Sequence, residues 1–144
     1  MCGRRTGNLN PNSNQAKGDI LEQLTCIWRG VKNLNIENDN YRSPIDHSRD
    51  PELGIIQTRG RVINRKWWSI PVEYEHGKEF DNLVFYCVDK DFRNIIRIYI
   101  IPRKEIESRN SVSITNDSLP RWYDEYRVNE EIVKKVNKIF HSII

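Results

Sequence analysis

No glycine-rich phosphate loop, HExxH, GxSxG or paired CxxC occurs anywhere in the chain. P-loop hydrolysis, zincin chemistry and the α/β-hydrolase triad therefore lack the signatures that place their reacting groups. Long apolar runs are missing too. None approaches the roughly 18–20 residues of a membrane-spanning helix, and Met1 to Lys17 holds no apolar stretch of the secretory type. A soluble, cytoplasmic protein is the expectation. Cysteine is scarce: Cys2, Cys26 and Cys87 are odd in number and far apart, which predicts neither a disulfide framework nor a zinc knuckle and fits a reducing compartment. Cys87 lies inside an apolar strand pattern and reads as a small core residue, not a nucleophile.

What is present is enough for one folded domain. With 144 residues, 38% hydrophobic and 10% aromatic, the chain carries too much apolar and ring content to stay disordered. Its length matches a single core without disulfide support. The net charge of +3 says little about partners by itself. Its distribution says more. Leu53 to Val72 contains four cations, Arg59, Arg61, Arg65 and Lys66, and no acid; Met1 to Lys17 contains three, Arg4, Arg5 and Lys17, and again no acid.

Residues 1–17, with Asn8, Asn10, Asn12 and Asn14 alternating around Pro11, offer no period that buries a face and read as a flexible polar and basic arm. A single domain over 18–144 follows. Ile20, Leu21, Leu24, Ile27, Trp28 and Val31 form the stripe of an amphipathic helix, with Asp19 as its expected N-cap and Gly30 near its end. A short strand is expected over Tyr41 to Asp46. Leu53, Ile55 and Ile56 read as a buried strand reaching solvent at Gln57, Thr58 and Arg59, and Val62 to Ile70 as a further strand. Tyr74 to Lys78 reads as a turn. Leu83 to Val88 and Ile95 to Ile101 predict a hairpin turning at Asp89 to Asn94. A helical turn at Lys104 to Glu107, a strand at Val112 to Thr115 and an aromatic stretch at Trp122, Tyr123 and Tyr126 follow. A last helix begins at Asn129, with Glu130 and Glu131 at the positive end of its dipole. The order predicts an α/β or α+β fold, a mixed central sheet flanked by helices, with no solenoid repeat.

One constellation has the residue types for chemistry: Glu22 in the first helix, Asp46 at the end of the first strand, and Gln57-Thr58-Arg59 at the end of the next. Strand alternation puts Gln57 and Arg59 on one face. Oxygen ligands gathered in this way suit Mg²⁺, which uses one or two protein carboxylates together with substrate phosphate. A cation beside them balances charge growing on the phosphate. Each residue also has an ordinary role: Glu22 on a solvated helix face, Asp46 capping a loop, Gln57 and Arg59 as polar residues ending a strand, and His47 as an exposed loop histidine. Arg61, Arg65 and Lys66 adjoin Trp67 and Trp68, and cations beside rings can grip phosphate and stack on bases; a core tryptophan with a solvated basic rim is the other reading.

The helix with Glu22, then Ser43-Pro44-Ile45-Asp46, then Gly54-Ile55-Ile56-Gln57-Thr58-Arg59-Gly60, resembles the PD-(D/E)XK nuclease superfamily, which includes restriction enzymes, Holliday-junction resolvases and some homing endonucleases. The resemblance runs from Gly18 to about Ile101 and implies a restriction-endonuclease-like fold. It also implies that Glu22, Asp46 and Gln57 stand at metal-binding positions and Arg59 at the position of the lysine that assists the attacking water. Gln57 replaces an acid, so one anionic ligand becomes a neutral oxygen. Arg59 replaces lysine, and with a pKa above about 12 it clamps phosphate and does not act as a base.

The resulting expectation is a Mg²⁺-dependent endonuclease, with Mn²⁺ able to substitute, that hydrolyses DNA phosphodiesters through Glu22, Asp46, Gln57 and Arg59. Arg4, Arg5, Arg61, Arg65 and Lys66 would hold the DNA backbone. A homodimer or homotetramer is expected, because duplex cutting needs two active sites. The alternative is a catalytically inactive nucleic-acid-binding or assembly module on the same fold, recognised by salt-sensitive binding without a divalent metal.

Overall fold

The computed structural model describes residues 13–32, 49–62, 67–71, 80–109, 111–115 and 119–144. Within them the chain runs α1 (Asn14–Arg29), β1 (Ile56–Val62), β2 (Trp67–Pro71), β3 (Asn82–Val88), β4 (Ile95–Pro102), α2 (Arg103–Glu107), β5 (Ser111–Thr115), a 3-10 turn (Trp122–Tyr126) and α3 (Glu130–Ile143). The expected strand at Tyr41 to Asp46 and turn at Tyr74 to Lys78 lie outside the described residues. Cys87 is free and buried, as the apolar strand pattern around it indicates.

α1 starts earlier than its apolar stripe indicates. Ser13 caps it, its hydroxyl accepting from the Ala16 N–H at 3.0 Å, and Asp19 lies inside the helix. A serine cap satisfies an otherwise orphaned first-turn donor, which outweighs the lack of apolar period at Gln15 to Gly18. The other end follows the sequence: Gly30 takes a left-handed φ of 70° and returns its N–H to the Cys26 carbonyl at 2.9 Å. α3 begins as expected, with the Asn129 side chain accepting from the Glu131 N–H at 2.7 Å.

The fold is α+β, a mixed three-stranded sheet flanked by helices. β1 pairs parallel with β3, and β3 pairs antiparallel with β4, giving the order β1-β3-β4. β2 and β5 form a separate antiparallel pair. The sheet is buried on both sides, so β3 reads as a continuous apolar run. On the first face Ile56, Val84, Tyr86 and Ile98 pack against Leu21 and Leu24 of α1 and Val136 and Phe140 of α3. On the second face Leu83, Phe85, Cys87, Tyr99 and Ile101 pack against Ile106 of α2, Val112 and Ile114 of β5, and Tyr123.

The β4 edge of the sheet is held twice, once by a side chain that imitates strand pairing and once by backbone pairing. The Asn137 amide of α3 accepts from the Ile95 N–H at 2.7 Å and donates to the Ile95 carbonyl at 2.8 Å, where a bulge interrupts β3 and β4. Beyond β4, Arg127 forms an antiparallel bridge with Tyr99, and the Val128 N–H donates to the Ile98 carbonyl at 2.8 Å.

Candidate functional site on an edge strand

β1 begins at Ile56, so Gln57 and Arg59 sit inside the strand and not beyond its end. The preceding residues Asp50 to Ile55 are a built turn that delivers it. Arg29, in the last turn of α1, grips Asp50 with two hydrogen bonds, Nε to Oδ2 at 2.8 Å and Nη2 to Oδ1 at 3.1 Å. Oδ1 also accepts from the Glu52 and Leu53 N–H groups at 2.8 and 3.0 Å. Burial would raise the Asp50 pKa, but the Arg29 hydrogen bond and the two backbone donors more than offset it, and the carboxyl is held below its ordinary range. Gly54 follows with φ of 75°, and a Cβ there would stand 2.2 Å from the Asp81 carboxylate, which accepts from the Ile55 N–H at 2.9 Å. Asn82 donates to the Leu53 carbonyl at 2.7 Å.

The first face of β1 is locked to α1 by a buried polar chain. Thr25 Oγ1 donates to the Leu21 carbonyl at 2.9 Å, so its proton is spent. The Tyr86 hydroxyl, 2.6 Å from Thr25 Oγ1, is then the donor in that pair and accepts from Trp28 Nε1 at 2.8 Å. Thr58 Oγ1 closes the chain by donating to Thr25 at 3.2 Å. Burial pushes the Tyr86 phenol well above its ordinary pKa, against the Thr25 and Trp28 hydrogen bonds and the Arg29 charge. It remains a neutral structural hub. Gly60, on the same face as Thr58, admits close approach: a Cβ there would lie 2.3 Å from Leu21 Cδ1.

Because Ile56, Thr58 and Gly60 face α1, the alternation of the strand turns Gln57, Arg59 and Arg61 to the second face. Their register partners are Leu83, Phe85 and Cys87, three members or neighbours of the second core cluster. Exposure rises along the strand, from buried Gln57 through half-buried Arg59 to exposed Arg61. Gln57 is the anomaly. It is 0% exposed, and neither Oε1 nor Nε2 has a hydrogen-bond partner. Burying an amide with its donor and acceptor both unmade costs about 1–3 kcal/mol, so such a group calls for a water, an ion or a ligand atom. Arg59 Nη1 donates to the Thr58 carbonyl at 3.1 Å.

Glu22 is half-buried on α1, the helix covering the first face. Gln57 and Arg59 belong to the second. β1 is one of the two edge strands of the described sheet, so the two sets can converge only around its free margin. Asp46, Arg4, Arg5, Arg65 and Lys66 lie outside the described residues, as does His47. Asp46 is four residues before the Asp50 clamp, and Gln57 seven after it. Among the described residues no group of three His, Cys, Asp or Glu side chains gathers as a metal cluster, and no helix is long and apolar enough to cross a membrane.

Sequence reasoning missed the Arg29–Asp50 clamp and two further cations, Arg97 and Arg127. Arg97 had a signal, a lone charge inside the run Ile95-Ile96-Arg97-Ile98. Its register partner is Cys87, and its Nη1 donates to the Tyr99 hydroxyl at 3.1 Å. Burial pushes the Cys87 thiol up to about 12 while the charges of Arg97 and Arg127 pull against it. The thiol is therefore protonated and inert at neutral pH.

No protein-family description matches the sequence, and no curated protein does. Among solved structures the fold is similar to that of a bacterial homing endonuclease, I-Ssp6803I, with a TM-score of 0.55 and 16% identity over 92% of this chain and 99% of that chain. The likeness is one of fold.

Proposed function

We propose that the protein is a Mg²⁺-dependent endonuclease acting on DNA, with Gln57 and Arg59 on the edge strand β1 as part of its active site. The observation that carries this reading is the fully buried Gln57 amide, whose oxygen and nitrogen have no partner in the fold. A neutral oxygen is a suitable donor to a hard cation, and the adjacent N–H₂ suits a phosphate oxygen or a water. The fold shared with a homing endonuclease supports it further.

Gln57 would hold Mg²⁺ together with Asp46 and Glu22, and Mn²⁺ would fit the same oxygen donors. When bound, the ion polarises a phosphoryl oxygen and acidifies water. Arg59 neutralises charge that builds on the phosphate in the transition state, and as a permanent cation it takes no proton. The buried Thr25, Tyr86 and Thr58 hydroxyls fix β1 against the helix bearing Glu22. The protein works as a homo-oligomer, since each chain offers one such site and a duplex has two strands.

The test is cleavage of plasmid, branched and linear DNA with Mg²⁺ or Mn²⁺. Wild type should nick or cut at least one of them and Asp46→Ala none. Equal inertness of the two on every substrate contradicts the reading, and metal-independent binding by an inert wild type favours a module that binds without cutting.

A further inference from the structure

The second face of the sheet carries more positive charge than the candidate site uses. On β1 its positions are Gln57, Arg59 and Arg61; on β4 they include Arg97 and Tyr99. No second-face position of β1, β3 or β4 within the paired registers is a carboxylate. Arg61 pairs with Cys87, and Cys87 pairs with Arg97, so the two arginines stand on one rung of the sheet. Arg127 pairs with Tyr99 beyond the margin of β4, on the next same-face rung, the one that carries Arg59 and Phe85, and opposite residues of an antiparallel bridge share a face. At about 4.8 Å per strand and about 3.3 Å per residue along it, Arg61 to Arg127 spans roughly 16 Å.

From this register we infer that Arg61, Arg97 and Arg127 form an oblique cationic row across the second face that holds the phosphate backbone of duplex DNA. This rests on DNA being the partner, as proposed above, but adds a surface distinct from Gln57 and Arg59. Arg61 and Arg127 are exposed and make the phosphate contacts. Arg97, only 8% exposed and held by the Tyr99 hydroxyl, lies between them and acts through its field. A charge embedded in the fold is screened less than a surface one, and the row's spacing is comparable to the Debye length of about 8–10 Å, so the three fields overlap. That both Arg97 and Arg127 act on the Cys87 thiol shows them reaching the same point. Among the described residues the carboxylate paired with Arg127 is that of Glu130, at 3.7 Å and itself exposed.

Binding of a labelled duplex, followed by anisotropy in EDTA between 50 and 200 mM salt, tests this. Arg61→Ala and Arg127→Ala should each reduce the slope of log affinity against log salt by about 0.9, and the double variant by about twice that. Arg97→Met should weaken binding and Arg97→Lys restore most of it. Lys135→Ala, on the helix covering the opposite face, should leave both slope and affinity at wild-type values. Folded arginine variants that keep the wild-type slope overturn the inference, as does a wild type without salt-dependent binding. If DNA is cut while those variants keep the slope, the row fails and the nuclease reading stands. If they lose the slope and nothing is cut, the row stands and the nuclease reading fails.

Discussion

The hydroxyls of Thr25 and Tyr86 meet at 2.6 Å in the buried layer between α1 and the sheet, 61 residues apart in the chain. Tyr86 is 0% exposed and donates there while accepting from Trp28. Tyr86→Phe keeps the ring and removes this hub, leaving the Trp28 N–H without its acceptor. Urea unfolding should show a loss of about 1–3 kcal/mol, the usual cost of orphaning a buried partner. An unchanged midpoint contradicts the arrangement.

Arg29 and Asp50 supply an acid-sensitive element. The Asp50 carboxyl is 1% exposed, and its pKa is lowered on folding, so it contributes stability above its unfolded pKa of about 3.9. That contribution disappears as pH falls through the lower folded value. Asp50→Asn should flatten the acid limb of stability against pH. Asp50→Ala should cost about 1–3 kcal/mol at pH 7, because it removes the partner of Arg29 and the acceptor of the Glu52 and Leu53 N–H groups. Thermal melts from pH 2 to pH 7 check both; parallel curves for wild type and Asp50→Asn would count against the pair.

Much of this fold was legible in the sequence, for reasons tied to particular residues. The hairpin of β3 and β4 stood out because both strands are apolar runs around a turn that Asp89 closes with its side chain. α3 stood out because Asn129, Glu130 and Glu131 mark its start. The start of α1 did not, since a serine cap before Asn14 to Gly18 carries no hydrophobic period. Nor did the beginning of β1, where Leu53 and Ile55 extend an apolar run through a turn whose shape depends on Gly54 and the distant Asp81. Of the candidate site, alternation placed Gln57 and Arg59 on one face, but it could not tell which face α1 would cover. That depends on Thr25, Thr58 and Gly60 meeting across long sequence separation.

Gly60 and Leu21 are matched in size. A Cβ on residue 60 would fall 2.3 Å from Leu21 Cδ1, so the buried Leu21 side chain must shift within a packed core to admit it. Gly60→Ala should destabilise by about 1–3 kcal/mol. Adding Leu21→Ala should recover part of that loss, so the double variant is more stable than the sum of the single effects predicts. A double-mutant cycle with additive energies would contradict the close contact.

Gln57 separates stability from function. Replacing its unpartnered amide by an apolar side chain of similar size removes a desolvation cost, so Gln57→Met should raise unfolding stability by about 1 kcal/mol. The same change should abolish DNA cleavage. A less stable Gln57→Met would mean that the amide has a structural partner.

The most direct measurement is Mn²⁺ binding, followed by electron paramagnetic resonance or calorimetry, to wild type, Gln57→Met, Gln57→Glu and Asp46→Ala. Gln57→Glu should bind more tightly than wild type, since an anionic oxygen replaces a neutral one, and Gln57→Met and Asp46→Ala should bind far more weakly. Equal affinity in all four proteins would contradict the site.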